Sequence, residues 1–202
     1  MHQKIRYLSH PQVVIEPSKE IRKWSLNDVG KSRVISLAKS GALIGTRVVI
    51  SSAETKAIET ANPLAEALGC KVEIREKMHE NDRSATGFLP PDEFETVANQ
   101  FFAHPENNVR GWESAVAAQS RIVTEVRECL RLHPDGDILL VGHGGVGTLL
   151  LCHLLRLPIS REYDQGLGGG GCFFEFNSLQ SKPKSRWQPL EKLSAQAQNS
   201  ST

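Results

Sequence analysis

The chain has 202 residues, 39% of them hydrophobic, with 24 basic against 23 acidic side chains and a formal net charge of +1. That length allows one domain with its own core, or two small ones at most. A balance so close to neutral supplies no long-range field for nucleic acid or a membrane surface, so any anion must be met by a local cluster.

The four cysteines, Cys70, Cys129, Cys152 and Cys172, fit no zinc or thioredoxin spacing. They read as reduced packing residues of a cytoplasmic protein, and the first residues carry no signal-peptide core. The most apolar window, residues 138–157, contains His143, His153, Arg156 and several glycines. It suits a strand–turn–helix better than a membrane span.

The first strand is predicted from Lys4 to Leu8, running into Ser9-His10-Pro11. The proline ends it, so His10 falls at the rim of a sheet, where open α/β folds bind ligands. Residues 11–17 are too rich in proline for a helix. Ser25, with Asp28 three residues on, reads as the cap of a helix. Its apolar face would be Leu26, Val29, Val34, Leu37 and Ala38, and Gly41 and Gly45 would stop it.

Residues 46–52 form the clearest strand of the first half. They lead into a helix whose Ala57, Ala61, Leu64, Ala65 and Leu68 recur at helical spacing up to Gly69. Ser51 and Ser52 precede that helix start, with Lys56 one turn inside, as an anion site or as a capped helix with a solvated lysine. Residues 71–75 alternate as a strand. The region from about 80 to 108, with a helix near Asp92 to His104, reads as an insertion on the ligand side of the sheet.

A long helix opens at Trp112-Glu113-Ser114, with Val116, Ile122, Val123, Val126 and Leu130 on one side. A second strand ends on a histidine at Ile138-Leu139-Leu140-Val141-Gly142-His143, followed by Gly144-Gly145 and an apolar helix. The glycine run 168–171 precedes a last strand, Cys172 to Phe176, instead of a helix, which argues against a nucleotide loop. One domain over residues 1–177 and a polar tail over 178–202, partly disordered from Ala195 onward, account for the chain. Trp187 and Leu190 are the tail residues able to dock. No internal repeat is visible.

Two strands that each end in a histidine can set two imidazoles side by side if the strands are neighbours. With a lysine and a carboxylic acid, that set suits phosphoryl transfer. A neutral histidine attacks phosphorus, a second histidine and a cation neutralise the equatorial oxygens, and the acid protonates the leaving group. No metal-ligand spacing such as H-E-x-x-H is present, and neither a metal nor another cofactor is implied.

In order and spacing these pieces resemble the histidine phosphatase superfamily, the phosphoglycerate-mutase-like fold. Ser9-His10 stands where that family has its Arg-His-Gly signature. Trp24-x-Leu26 with Gly30 resembles the segment after it. Ser51-Ser52-x-x-x-Lys56-Ala57-x-x-Thr60-Ala61 resembles the Ser-Ser-x-x-x-Arg-Ala-x-x-Thr-Ala block, and Val141-x-His143-Gly144-Gly145 the second-histidine block. Gly111-x-Glu113-Ser114 opens the corresponding helix.

The resemblance implies a three-layer α/β fold, a mixed and mostly parallel sheet flanked by helices. It implies a phosphohistidine at His10, with His143 stabilising the phosphoryl group. Glu80 would be the proton donor, with Asp82 its nearest substitute. Ser9, Lys56 and Gly144 would bind a small phosphorylated substrate. The departures all touch phosphate binding. Ser9 and Lys56 stand where the family has arginines, Pro11 where it has glycine, and Val13 where it usually has a polar residue. Lysine gives a point charge in place of a planar fork. Arg83 or Arg110 is the candidate to restore a charge, and a catalytically weak relative that binds an anion or a protein partner is the alternative. The oligomeric state is not legible.

Overall fold

The computed structural model describes residues 3–166 and 168–199. Six strands form one sheet in the order β3-β2-β4-β1-β5-β6. They are β1 (Ile5–Ser9), β2 (Thr46–Ser52), β3 (Val72–Arg75), β4 (Asp137–Gly142), β5 (Cys172–Phe176) and β6 (Gln188–Pro189). The first four are mutually parallel, and β5 runs antiparallel to β1 and to β6. The fold is therefore the expected three-layer α/β arrangement with a mixed, mostly parallel sheet.

Strand period divides the core into two slabs. Ile5, Tyr7, Ile50, Ile138 and Leu140 face α3 (Pro91–Ala103), α4 (Ala115–Leu132) and α5 (Gly144–Leu155). Leu8, Val49, Leu139 and Val141 face α1 (Asp28–Lys39), α2 (Thr55–Leu68) and α6 (Glu191–Asn199). Burial on both faces explains the near-continuous apolar runs of β1 and β4. Among the described residues, no helix is long and apolar enough to cross a membrane.

Two boundaries differ from the sequence expectation. Helix α1 starts later than Ser25, with Asn27 as its cap accepting from the Gly30 N–H at 2.9 Å. The Ser25 carbonyl instead accepts the Val14 N–H at 2.9 Å, which keeps Ser25 extended. Val29, expected on the buried face, is exposed, and Gly30 is buried with Val34 and Leu37. The chain beyond 178 is also less of a tail than expected. Strand β6 pairs with β5, Leu190 and Leu193 are buried, and α6 is helical through Asn199. The apolar pair Leu190 and Leu193 supplies the burial that the polar composition hides. Ser200 to Thr202, part of the segment expected to be disordered, lie outside the described residues.

The turn after β1 is fixed by two contacts. The Gln12 carbonyl accepts the Asn27 N–H at 3.0 Å, and α1 approaches so closely that a Cβ on Gly30 would collide with that same oxygen. The glycine run 168–171 is a second support. All four residues hold positive φ, Gly171 donates its N–H to the His10 carbonyl at 3.0 Å, and Arg33 binds the Gly170 carbonyl at 2.9 Å. Replacing Gly30 by Ala therefore forces backbone apart beside His10. We expect a loss of roughly 1–3 kcal/mol, read as a lower urea midpoint at unchanged m value.

Candidate active site

The carboxyl ends of β1 and β4 are neighbours, with Ser9 opposite Gly142. His10 follows, its N–H donating to the Gly142 carbonyl at 2.9 Å. His143 follows β4 and precedes the first turn of α5. The two rings meet edge to face with centroids 5.3 Å apart. The sequence allowed this meeting, and the strand order brings it about.

Each ring is held differently. His10 Nδ1 lies 2.8 Å from the Pro11 carbonyl. A carbonyl only accepts, so Nδ1 carries the hydrogen and Nε2 keeps its lone pair. Burial, then the charge of Lys56, lowers the His10 pKa to about 4. His143 is fully buried. Its Nε2 is 2.8 Å from Ser52 Oγ and 3.6 Å from Glu54 Oε1, while its Nδ1 is buried without a partner. Burial lowers its pKa to about 3, against the opposing pull of Glu54 and Glu80. Beneath it, the Tyr7 hydroxyl accepts the His143 N–H and donates to its carbonyl, both at 3.1 Å.

Lys56 is not a solvated helix residue. It is buried, its ammonium donating to Glu54 Oε2 at 2.5 Å and to the Ile21 carbonyl at 2.8 Å. Burial lowers its pKa, partly offset by Glu54. Glu54 was not singled out by the sequence and sits at the centre of the polar set. Beyond Lys56 and His143, its Oε1 accepts the Glu80 N–H at 3.0 Å, and Arg22 Nε is 4.0 Å away. Burial opposes its charge, yet His143 and Lys56 outweigh that and hold the carboxyl well below the usual range.

Glu80 reaches the start of α5. Its oxygens accept the N–H groups of Gly145 at 3.0 Å, Val146 at 2.8 Å and Asn81 at 3.0 Å. Two of the free donors at that helix start are thus capped by a side chain. The loop carrying Glu80 is clamped by Arg121, which donates to the carbonyls of Lys77 and His79 at 2.8 and 2.9 Å and pairs with Glu113. Asp82 is exposed, and the Ser84 N–H lowers its pKa, which suits an acceptor more than an acid.

Ser9 is buried among polar partners. Its hydroxyl donates to Gln165 Oε1 at 2.6 Å and accepts the Cys172 N–H at 3.0 Å, so its single proton is committed. Gln165 stands there instead, its amide nitrogen packed so closely on Gly144 that a Cβ at that position would overlap it. This explains Gly144 by close approach. No sequence signal marked Gln165, because only the fold brings it to Ser9.

Arg110 pairs with Glu93 on the exposed side and leaves the site. Arg83 lies over the rings of Phe94 and Trp112, at 5.0 and 5.6 Å from their centroids, and its charge bears on both His10 and Lys56. It lines, with Arg22, Lys19, Asp82 and Phe88, a cavity of about 390 Å³ whose inner wall is Glu54 and Glu80. His79 also borders this cavity.

The histidine phosphatase superfamily (branch 1) model matches residues 20–172. The match begins beyond His10. Solved structures share the fold at low identity. The mycobacterial glucosyl-3-phosphoglycerate phosphatase is 20% identical, with a TM-score of 0.71 over 93% of this chain and 97% of its own. A phosphoserine phosphatase from Entamoeba histolytica is 16% identical, with 0.74 over 92% and 97%. A putative alpha-ribazole-5'-P phosphatase from Escherichia coli is 16% identical, with 0.67 over 93% and 97%. No curated protein sequence matches at a significant level.

The two buried imidazoles tie stability to pH. Both pKa values fall on folding, from about 6.5 to about 4 for His10 and about 3 for His143. Below 6.5 the unfolded chain binds more protons than the folded one. Stability is therefore complete above 6.5 and is lost as pH falls toward 4. We expect urea unfolding to show a loss of roughly 2–4 kcal/mol between about pH 6.5 and pH 5, with His143→Gln flattening the slope.

Proposed function

Since the chain belongs to the histidine phosphatase superfamily, we propose that it is a metal-independent phosphatase that hydrolyses a small phosphorylated metabolite through a phosphohistidine on His10. One observation carries the reading. His10 Nδ1 donates to Pro11, which leaves a neutral Nε2 with a free lone pair beside a second imidazole. A ring whose pKa is about 4 needs no deprotonation near neutral pH.

In this reading Nε2 attacks phosphorus in line with the departing oxygen. His143 and Lys56 stabilise the equatorial oxygens, and the Gln165 amide contributes a neutral donor on the side where Ser9 has none to spare. Glu80 passes a proton to the leaving oxygen, and water then attacks the phosphohistidine. The cavity of about 390 Å³ holds the leaving group. Its mixed lining of arginine, lysine and carboxylates suits a compact, polar group. The names of the structural neighbours, which refer to glucosyl-3-phosphoglycerate and phosphoserine, describe substrates of that kind.

The second reading is a weak or inactive relative that binds an anion. The observation in its favour is the Lys56–Glu54 pair, which cancels the cation expected to meet phosphate. Hydrolysis of an aryl phosphate in the presence of a chelator separates the two. We expect turnover that survives the chelator and falls by about a thousandfold or more in His10→Ala. No turnover above that variant favours the binder.

Arg83 supplies the guanidinium that the altered blocks lack. Loss of one charge-assisted contact is worth about 1.5–3 kcal/mol, or about 10- to 150-fold in rate. We expect Arg83→Met to lower kcat/KM within that range and Arg110→Met to leave it unchanged. Equal effects from both variants would remove Arg83 from the site.

A further inference from the structure

Glu54 is the feature that the phosphatase reading leaves unused. It precedes α2 but makes no capping bond to that helix. Its side chain is turned into the site, 4% exposed, where it meets Lys56, His143, the Glu80 N–H and Arg22. Two of the three ammonium protons of Lys56 go to Glu54 and Ile21. One remains for a ligand, and its direction is fixed by the other two.

The charges of the inner site then sum to less than an anion pocket needs. Lys56 is paired with Glu54, and both imidazoles are neutral. Arg22 and Arg83 supply positive charge only from the cavity wall. A phosphoryl dianion seated between His10 and His143 would lie close to the Glu54 carboxylate, with Lys56 already paired to that carboxylate and Arg22 and Arg83 at the cavity wall. Something in the site must gain a proton.

We propose that Glu54 is a positioning residue that couples dianion binding to the uptake of one proton, carried by His143 between the Glu54 carboxylate and the bound anion. This rests on the phosphatase reading only in taking the pocket to receive a tetrahedral dianion.

The groups facing this pair leave His143 as the acceptor. Lys56 is protonated and paired. Arg22 and Arg83 carry fixed charge. The Glu80 oxygens accept three N–H bonds. The Tyr7 hydroxyl is hydrogen-bonded to the His143 backbone on both sides, and burial keeps it protonated. His10 has its one hydrogen on Pro11, and burial and the charge of Lys56 oppose a second. His143 combines a buried Nδ1 without a partner and a carboxylate 3.6 Å from its Nε2. Protonated, it would donate to the anion and to the Ser52–Glu54 side together.

The test uses the full chain and sulfate, whose own charge does not change between about pH 5 and pH 7. Calorimetric titration in buffers of different ionisation enthalpy counts the protons. We expect about one proton taken up per sulfate, and a Kd that weakens about tenfold per pH unit, about a hundredfold over the range. His79→Gln, which removes the other histidine bordering the cavity, should keep that slope. Glu54→Gln removes the charge but keeps the shape. It should bind sulfate at least about tenfold more tightly at pH 7 and take up less than about half a proton. If that variant does not fold, the count on the unaltered chain decides alone.

A Kd independent of pH, a count near zero, or an unchanged slope in Glu54→Gln would overturn the proposal. So would an absence of sulfate binding in a chain that hydrolyses aryl phosphate. Sulfate binding with proton uptake by a chain that hydrolyses nothing would support the coupling and remove the catalytic reading instead.

Discussion

The site depends on one pairing, the parallel contact of β1 with β4. The two strands are separated by about two-thirds of the chain, yet the register sets Ser9 against Gly142 and lets His10 donate directly to the Gly142 carbonyl. Everything between them serves this contact. The excursion through β2 and β3 leaves a slot between β2 and β1, and β4 returns to fill it. Parallel neighbours end at the same edge, so both histidines emerge together where helix starts and loop tips converge. Such pairing is costly in chain entropy and needs burial on both faces to hold it. Tyr7 links that burial to the chemistry, since its ring stacks on Phe174 at 5.4 Å while its hydroxyl supports the His143 backbone.

On this frame the electrostatics are unusual for an anion site. The inner charges are arranged as a closed set, with Glu54 answering Lys56 and the N–H groups of α5 answering Glu80. A closed set keeps a ligand-free pocket from holding an isolated buried charge, which is expensive. It also means that affinity for an anion cannot come from a standing positive field. It has to come from groups that respond when the anion arrives, namely the imidazoles and the arginines of the cavity wall.

Much of this was legible in the sequence, for definable reasons. β1 and β4 are apolar runs cut by Pro11 and by Gly142 and Gly144, so their ends could be read. The spacing of Ala57, Ala61, Leu64 and Ala65 marked the buried face of α2, and all four are buried. What could not be read is what depends on side-chain direction across the fold. Glu54 was not singled out, because an acid at a helix start normally faces water. Gln165 lies on a stretch with no periodicity. The Ser25 cap failed because a distant carbonyl–amide pair with Val14 outcompeted a local signal. The use of the run 168–171 as a backbone rest for His10 depends on a contact between distant segments that its sequence does not signal.

The altered residues around His10 are mutually consistent once the structure is taken into account. With serine at position 9, a hydroxyl can satisfy the Cys172 N–H and still hold Gln165 over Gly144. A guanidinium there would need that space, and Gln165 would be displaced. With lysine at position 56, a compact ammonium can be shared by Glu54 and the Ile21 carbonyl. The second of these bonds ties the segment carrying Arg22 to the floor of the site. Losing a fork at one position thus fixes a loop that presents another fork at the cavity rim. On the proposed reading the charge lies farther out, toward the group that leaves. On the proposed reading such a site would discriminate through its leaving-group cavity more than through its grip on phosphate, and the segments 17–22 and 79–88, which line that cavity, would decide it.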